Sequence, residues 1–314
     1  MTATPTPEPD TTPPDLDAVE RLAVTLAAGA GEQARLALEW AVVVEYKPDT
    51  RGKENTRDPV SEVDRAVEDL VRRRVAERFP GHAVIGEEMD EQPDASAETV
   101  WVIDPIDGTA NFVNGFPLFA VSIGVLHRGR PVAGAVWCGT THALRSGVYH
   151  ARAGGPLCLD GVEVPAERAT VAKRRLAAAP GGSPGGTREW DHRVTGSIAI
   201  EGALVAAGVF TSSTFWAPRI WDVAAGVVLV QASGREVWLR DGSGWRPFER
   251  FEAPDHLPRR RGEATDGPPR TPTLRDWRGS LIVGTAEATA AIRSRSRGPG
   301  LLPRLRQRFA RGLR

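Results

Sequence analysis

The chain has 314 residues, 40 Lys and Arg against 40 Asp and Glu, and 41% hydrophobic residues. That size and apolar content suit one large α/β domain or two smaller ones, and the balanced charge excludes a chain-wide bias toward polyanions. Two cysteines, Cys138 and Cys158, give neither a disulfide framework nor a cysteine-based zinc pattern, and no apolar run approaches the roughly 20 residues that span a bilayer. A reducing, cytoplasmic setting is therefore expected.

Residues 1–15 are rich in Pro and Thr and lack a basic-plus-apolar signal pattern, so a disordered N-terminal tail is expected. Helical spacing of Ala, Leu, Val and Glu predicts a long helix over 16–44, followed by a polar loop over 45–57 that carries Lys53. Ser61 is placed to cap a second helix, with Asp64 three residues on and Val67, Leu70, Val71, Val75 and Phe79 along its apolar side. A short strand over 82–85 delivers Gly86-Glu87-Glu88, and an acidic loop over 89–98 follows. Strands are predicted over 119–126, 131–137 and 143–150, with turn signals near 154–155 and 160–161. Runs of strands after helices indicate mixed α/β layering rather than strict alternation. The second half predicts a strand over 176–179, a glycine-rich loop over 180–186 without a nucleotide fingerprint, and a small-residue helix over 197–207. A strand over 209–214 comes next, then an apolar helix opened by Trp221-Asp222, a hairpin over 236–239 and 245–248, a charged loop over 258–273, a last strand over 281–284 and a last helix over 286–292.

Residues 101–112, W-V-I-D-P-I-D-G-T-A-N-F, hold the densest chemistry. An apolar strand ends in Asp104 and Asp107, three residues apart, with Pro105 between them and Gly108-Thr109 after. Two carboxylates held that close repel unless a cation lies between them, and hard divalent ions such as Mg²⁺ take oxygens of this kind. Alone, such a stretch reads more readily as a plain turn. Three other acids repeat the pattern, each at the end of an apolar element: Asp64 and Asp222 at helix starts, and Glu87 after a strand. Singly, the first two read as acids favoured by a helix dipole and the third as half of a solvated pair. Together they describe a carboxylate cluster that cations would neutralise, as in two-metal phosphoryl transfer.

These motifs resemble the inositol monophosphatase family of magnesium-dependent, lithium-sensitive phosphatases. The carriers are 101–112, W-D-V-A-A-G at 221–226, Gly86-Glu87-Glu88, and D-P-V-S-E-V-D at 58–64, in the family's order over roughly 16–234. The resemblance implies a layered α-β-α-β-α sandwich of the sugar-phosphatase type spanning 16–295. It implies two to three Mg²⁺ ions held by Glu87, Asp104, the Ile106 carbonyl, Asp107 and Asp222, with Asp104 bridging. Asp64 and Thr109 would position and deprotonate the attacking water, with Glu87 at the catalytic centre. Gly108 and Thr109 amides would hold phosphate oxygens, and Asp222 would border the substrate. Lys53 reads as a phosphate contact or as a solvated loop residue. A small phosphorylated substrate and a homodimer are implied as partners.

The chain departs from the pattern in two places. Inositol-cleaving members carry an acid seven residues before the W-D aspartate, which reads sugar hydroxyls; here that position is Phe215, followed by Trp216. The aromatic pair stacks on a flatter leaving group or fills core. A polyol or sugar phosphate is the expected substrate, with histidinol phosphate, fructose 1,6-bisphosphate and 3′-phosphoadenosine nucleotides as alternatives. Residues 296–314 are Arg-rich with a Leu and Phe face, a pattern that suits an anionic membrane or nucleic acid as readily as a solvated tail. A binding protein acting through that tail is the alternative from another class.

Overall fold

The computed structural model describes residues 14–39, 44–48, 54–89, 97–165, 173–178, 190–257 and 271–295. Helix α1 (Leu16–Ala37) leads to strands β1 (Val44–Pro48) and β2 (Glu54–Ser61) and helix α2 (Glu62–Arg78). Next come β3 (Ala83–Gly86), β4 (Thr99–Asp107), the short helix α3 (Thr109–Val113), β5 (Ala120–His127), β6 (Arg130–Cys138), β7 (Gly147–Arg152), β8 (Cys158–Leu159) and β9 (Val162–Glu163). The second half holds β10 (Arg175–Ala178), β11 (Trp190–Arg193), α4 (Ile198–Ala206), β12 (Ser212–Phe215), α5 (Ile220–Ala232), β13 (Glu236–Asp241), β14 (Gly244–Pro247), a 3₁₀ turn (Leu274–Asp276), β15 (Leu281–Gly284) and α6 (Ala286–Arg295).

Strands β3 to β9 lie side by side in chain order as one sheet, parallel only between β3 and β4. A second, antiparallel sheet has the order β12-β15-β13-β14. Side chains alternate along a strand, and β4 shows the consequence. Trp101 and Ile103 enter a core shared with α1 and α2, whereas Val100 and Val102 enter one shared with α4 and α5. Helices α4 and α5 lie between the two sheets and contribute to that second core with residues of both. Ala288 of α6 packs with Ala177 and Trp190, and Arg293 stands 3.4 Å over the Trp238 ring. The result is the layered α/β sandwich expected from sequence.

Helix α1 starts where Asp15 Oδ1 accepts the N–H groups of Asp17 and Ala18, each at 3.1 Å. Its buried stripe, Val19, Ala23, Leu26, Ala27, Ala30 and Ala34, follows helical spacing. The helix ends at Ala37 rather than continuing to 44, and Val44 already belongs to β1. The polar loop expected over 45–57 is instead largely a hairpin, because β1 and β2 pair their backbones whatever the polarity of the residues. Ala143 to Ser146 belong to a turn, with Leu144 at φ 58, so β7 begins only at Gly147. Strand β12 starts at Ser212, since Val209 and Phe210 close the end of α4 by donating to Leu204 O. Strand β11 was not expected; it pairs in parallel with β10. The two chain tails, the glycine-rich loop over 180–186 and the loop carrying Lys53 lie outside the described residues. No helix among the described residues is long and apolar enough to cross a membrane.

Helix α5 approaches the large sheet unusually closely at Gly124 of β5. A Cβ there would stand 2.7 Å from Ala224 Cβ and 2.7 Å from Ala225 N, so backbone as well as side chain bars it. Gly124→Ala is therefore expected to destabilise the fold by about 1–3 kcal/mol in urea unfolding. An unchanged midpoint would show that α5 can back away without loss.

Candidate active site

Two acids three residues apart on a regular strand point to opposite faces. The register of β4 against β5 removes that obstacle. Asp104 pairs with Ser122 and Asp107 with Ala120, so three steps on one strand oppose two on the other. This is a one-residue bulge, with Pro105 inside it, where a missing N–H donor is tolerated. Because Ser122 and Ala120 share a face, Asp104 and Asp107 do as well, and it is the face toward α4 and α5. Ile106 turns to the other side, into the core shared with α1 and α2.

Other elements deliver the remaining acids. Strand β3 runs parallel to β4 with Gly86 opposite Ile103, which sets Glu87 beside Asp104. Asp222 lies in the first turn of α5 and accepts the Arg219 N–H at 2.7 Å. Ser122 Oγ donates to Trp221 O at 3.2 Å and fixes that helix start against β5. Asp64 lies buried in the first turn of α2.

Electrostatics reports the convergence. Burial pushes the Asp104 pKa well above its ordinary value, and the charges of Glu87, Asp107, Asp222 and Asp64 push it further. Burial, then Asp107, raises Asp222 in the same way, against the Arg219 N–H and guanidinium. Asp107 rises to about 6 through burial, with Ser197 and the amides of Ala199 and Ile198 opposing. Its Oδ2 accepts Ser197 Oγ at 2.5 Å and the Ala199 N–H at 2.6 Å. Asp107 is thus held by the start of α4.

The hard-oxygen donor set suits Mg²⁺. Asp104 Oδ1 is buried with no hydrogen-bond partner, an arrangement that is costly unless a cation or proton compensates it. Among the described residues, however, no three His, Cys, Asp or Glu side chains form a ready ligating group. The acids are brought to interaction range, not to bonding positions.

Gly108 turns the chain from β4 into α3 at φ 89. A Cβ there would stand 3.2 Å from the carbonyl oxygens of Gly196 and Leu118, so the position takes only glycine without strain. Thr109 Oγ1 donates to Ile106 O at 2.9 Å. Asn111 Nδ2 reaches Leu118 O and Thr195 O at 2.6 and 2.8 Å and ties α3 to the segment before α4.

Phe215 takes the core-filling alternative. It is 3% exposed and packs in the core between the sheets, so no open ring face remains for stacking on a ligand. Trp216 is the exposed member of the pair, at 47%, with the Arg240 guanidinium 5.8 Å from its ring.

Sequence reasoning passed over Ser197 and Glu201. Ser197 had a signal, since a serine before a helical run is an N-cap candidate. Glu201 had none. It is 1% exposed and accepts Ser213 Oγ at 2.8 Å and Thr195 Oγ1 at 3.0 Å. Thr195 Oγ1 also lies 2.9 Å from Ser197 O, so Glu201 braces the turn that holds Asp107.

Burial raises the Glu201 pKa from 4.5 to about 7 against those hydrogen bonds. The folded state therefore keeps this proton to higher pH than the unfolded chain, and the associated stability is lost as pH rises from about 4.5 to 7. Glu201→Gln, which keeps the shape, should match the wild type at pH 4 and exceed it by roughly 3 kcal/mol above pH 7 in metal-free urea unfolding. A gap that does not widen with pH would contradict this.

Comparison with known proteins bears on the family and the fold. The model of the inositol monophosphatase family matches residues 15–270. A probable inositol 1-monophosphatase of Mycobacterium tuberculosis is 36% identical over 267 residues, 78% of this chain and 92% of that protein. A chloroplastic phosphatase of Arabidopsis thaliana is 31% identical over 218 residues, where the match spans 62% of this chain and 56% of the relative. Among solved structures, an inositol monophosphatase of Thermotoga maritima superposes with a TM-score of 0.67 at 22% identity, over 89% of this chain and 96% of the other. The chain belongs to the inositol monophosphatase family.

Proposed function

We propose that this chain is a Mg²⁺-dependent phosphomonoesterase that cleaves a small polyol or sugar phosphate with an activated water. The observation that carries the reading is the environment of Asp104, where burial and four neighbouring acids all disfavour its charge. Such a cluster is expensive as carboxylates alone and becomes favourable around divalent cations.

Glu87, Asp104, the Ile106 carbonyl, Asp107 and Asp222 would hold two to three ions, drawing together from the positions described. Mg²⁺ in such a site supplies charge neutralisation for phosphoryl oxygens and a more acidic water. The protein's own groups do the positioning. The proton of Thr109 Oγ1 is committed to Ile106 O, so the hydroxyl oxygen is left to accept a hydrogen bond from the attacking water. Asp64 takes one proton of that water as it attacks, the other stays on the released phosphate, and solvent water protonates the leaving alkoxide. The N–H groups of Gly108 and Thr109 orient phosphate oxygens for in-line attack. Asp107 and Asp222 each have one oxygen fixed by donors at a helix start, which holds the carboxylates in place.

With Phe215 buried, position 215 offers no hydroxyl acceptor, which keeps histidinol phosphate, fructose 1,6-bisphosphate and 3′-phosphoadenosine nucleotides beside inositol phosphates as candidates. A cytoplasmic homodimer is the assembly and location this reading carries, and light scattering on the purified chain checks the first.

Asp104→Asn should lower phosphate release by about 10²–10³-fold or more while the unfolding midpoint holds or rises, since Asn removes a buried charge. Turnover like the wild type in that variant would refute the scheme. The assay is phosphate release from a panel of these esters, with and without Mg²⁺ and with Li⁺. Release from none of them in Mg²⁺ would favour the non-catalytic reading through the Arg-rich tail.

A further inference from the structure

The turn that presents Glu87 is gripped from both sides. From α2, the carboxylate of Glu68 accepts the N–H groups of Glu88 at 2.7 Å and Met89 at 3.2 Å. Glu68 is fully buried and paired with Arg72 at 2.8 Å. The approach is so close that a Cβ on Gly86 would fall inside the Glu68 carboxylate. From the opposite end of the chain, Arg275 donates to the carbonyls of both Gly86 and Glu87, the second at 3.0 Å. The same guanidinium stands 5.0 Å from the Trp221 ring, one residue before Asp222.

We propose that Arg275 is a positioning residue that locks the Glu87 turn to the start of α5 and so sets the spacing of Glu87 and Asp222 for a divalent cation. This rests on the proposed function. A planar guanidinium can donate to two adjacent carbonyls and still lay its face against an indole, whereas a lysine ammonium cannot do all three. The arm that carries it is anchored on either side. Leu274 packs against the inter-sheet core, and Asp276 Oδ2 accepts the Thr273 N–H at 2.9 Å. Trp277 is 6% exposed and meets Phe251 edge-on at 4.8 Å. Arg275 therefore extends from a fixed base and bridges two acid-bearing segments that the sheet does not connect to each other directly. Contacts behind the ligands of a metal set their orientation and commonly govern its affinity.

The test compares the full-length wild type with Arg275→Ala, Arg275→Lys and the neighbouring control Arg278→Ala. Mn²⁺ binding is measured without substrate by electron paramagnetic resonance, alongside phosphate release over a Mg²⁺ titration and thermal unfolding in metal-free buffer. Arg275→Ala should weaken Mn²⁺ binding about 10-fold or more and shift half-saturation in Mg²⁺ by the same factor, with kcat at saturating Mg²⁺ within about twofold. Arg275→Lys should fall between, and Arg278→Ala should match the wild type. Should the alanine variant not fold, the lysine variant carries the comparison. Unchanged Mn²⁺ affinity, a loss confined to kcat, or an equal loss in Arg278→Ala would overturn the clamp while the proposed function stands. A wild type that binds no Mn²⁺ would overturn both.

Discussion

Mutual repulsion among buried carboxylates is the constraint around which this molecule is arranged. Asp64, Asp104 and Asp107 are buried and Asp222 is half-buried, and desolvation is the leading cause of the raised pKa at Asp104 and Asp222. Such groups cannot all ionise in an apolar interior without compensation. Part of the compensation is structural. Asp107 and Asp222 each receive hydrogen bonds at the start of a helix, where free N–H groups and the helix dipole favour negative charge. Asp104 receives no such donor at Oδ1, so its burial there is left uncompensated by hydrogen bonding.

The fold supplies the framework that keeps these groups from relaxing apart. Helix α5 is buried nearly all round between two sheets, as expected of a helix without a solvent face. Its small residues, Ala224 and Ala225, let β5 approach to the point where even a methyl group at Gly124 has no room. An interior packed that tightly resists small displacements, so the Asp222 end of α5 cannot drift from the Asp104 end of β4 without disturbing the core. The bulge in β4 is the matching device on the sheet side, since it turns two acids of odd spacing onto one face.

Much of this was legible in the sequence because it is written in short-range patterns. Pro105 between two aspartates, a glycine after the second, and acids at the ends of apolar runs are local signals with physical causes. Strand β15 and the start of α5 could be read for the same reason. The hairpin of β1 and β2 could not, because its stability lies in backbone pairing between polar segments that carry no alternation. Glu201 and Arg275 stayed hidden for a different reason. Nothing near Arg275 in the chain marks it, and its partners, Gly86, Glu87 and Trp221, come together only through the tertiary fold. Glu201 looked like one charged residue on a small-residue helix, and only burial shows that it faces inward.

Reaction machinery and substrate reading are separable here, and the second sheet shows why. Phe215 pairs with Leu281, and Leu281 with Leu239; all three side chains enter the core against α4 and α5. The next residue along each strand, Trp216, Ser280 and Arg240, falls on the opposite face by simple alternation. An acid at position 215 would occupy the inner row, within the same layer as Asp222. Replacing it with a ring seals that row with apolar surface and removes a hydroxyl acceptor while leaving the acids on β3, β4 and α5 in place. Under the proposed function, specificity then comes from groups beyond this strand, since the change at position 215 leaves the acids on β3, β4 and α5 where they are.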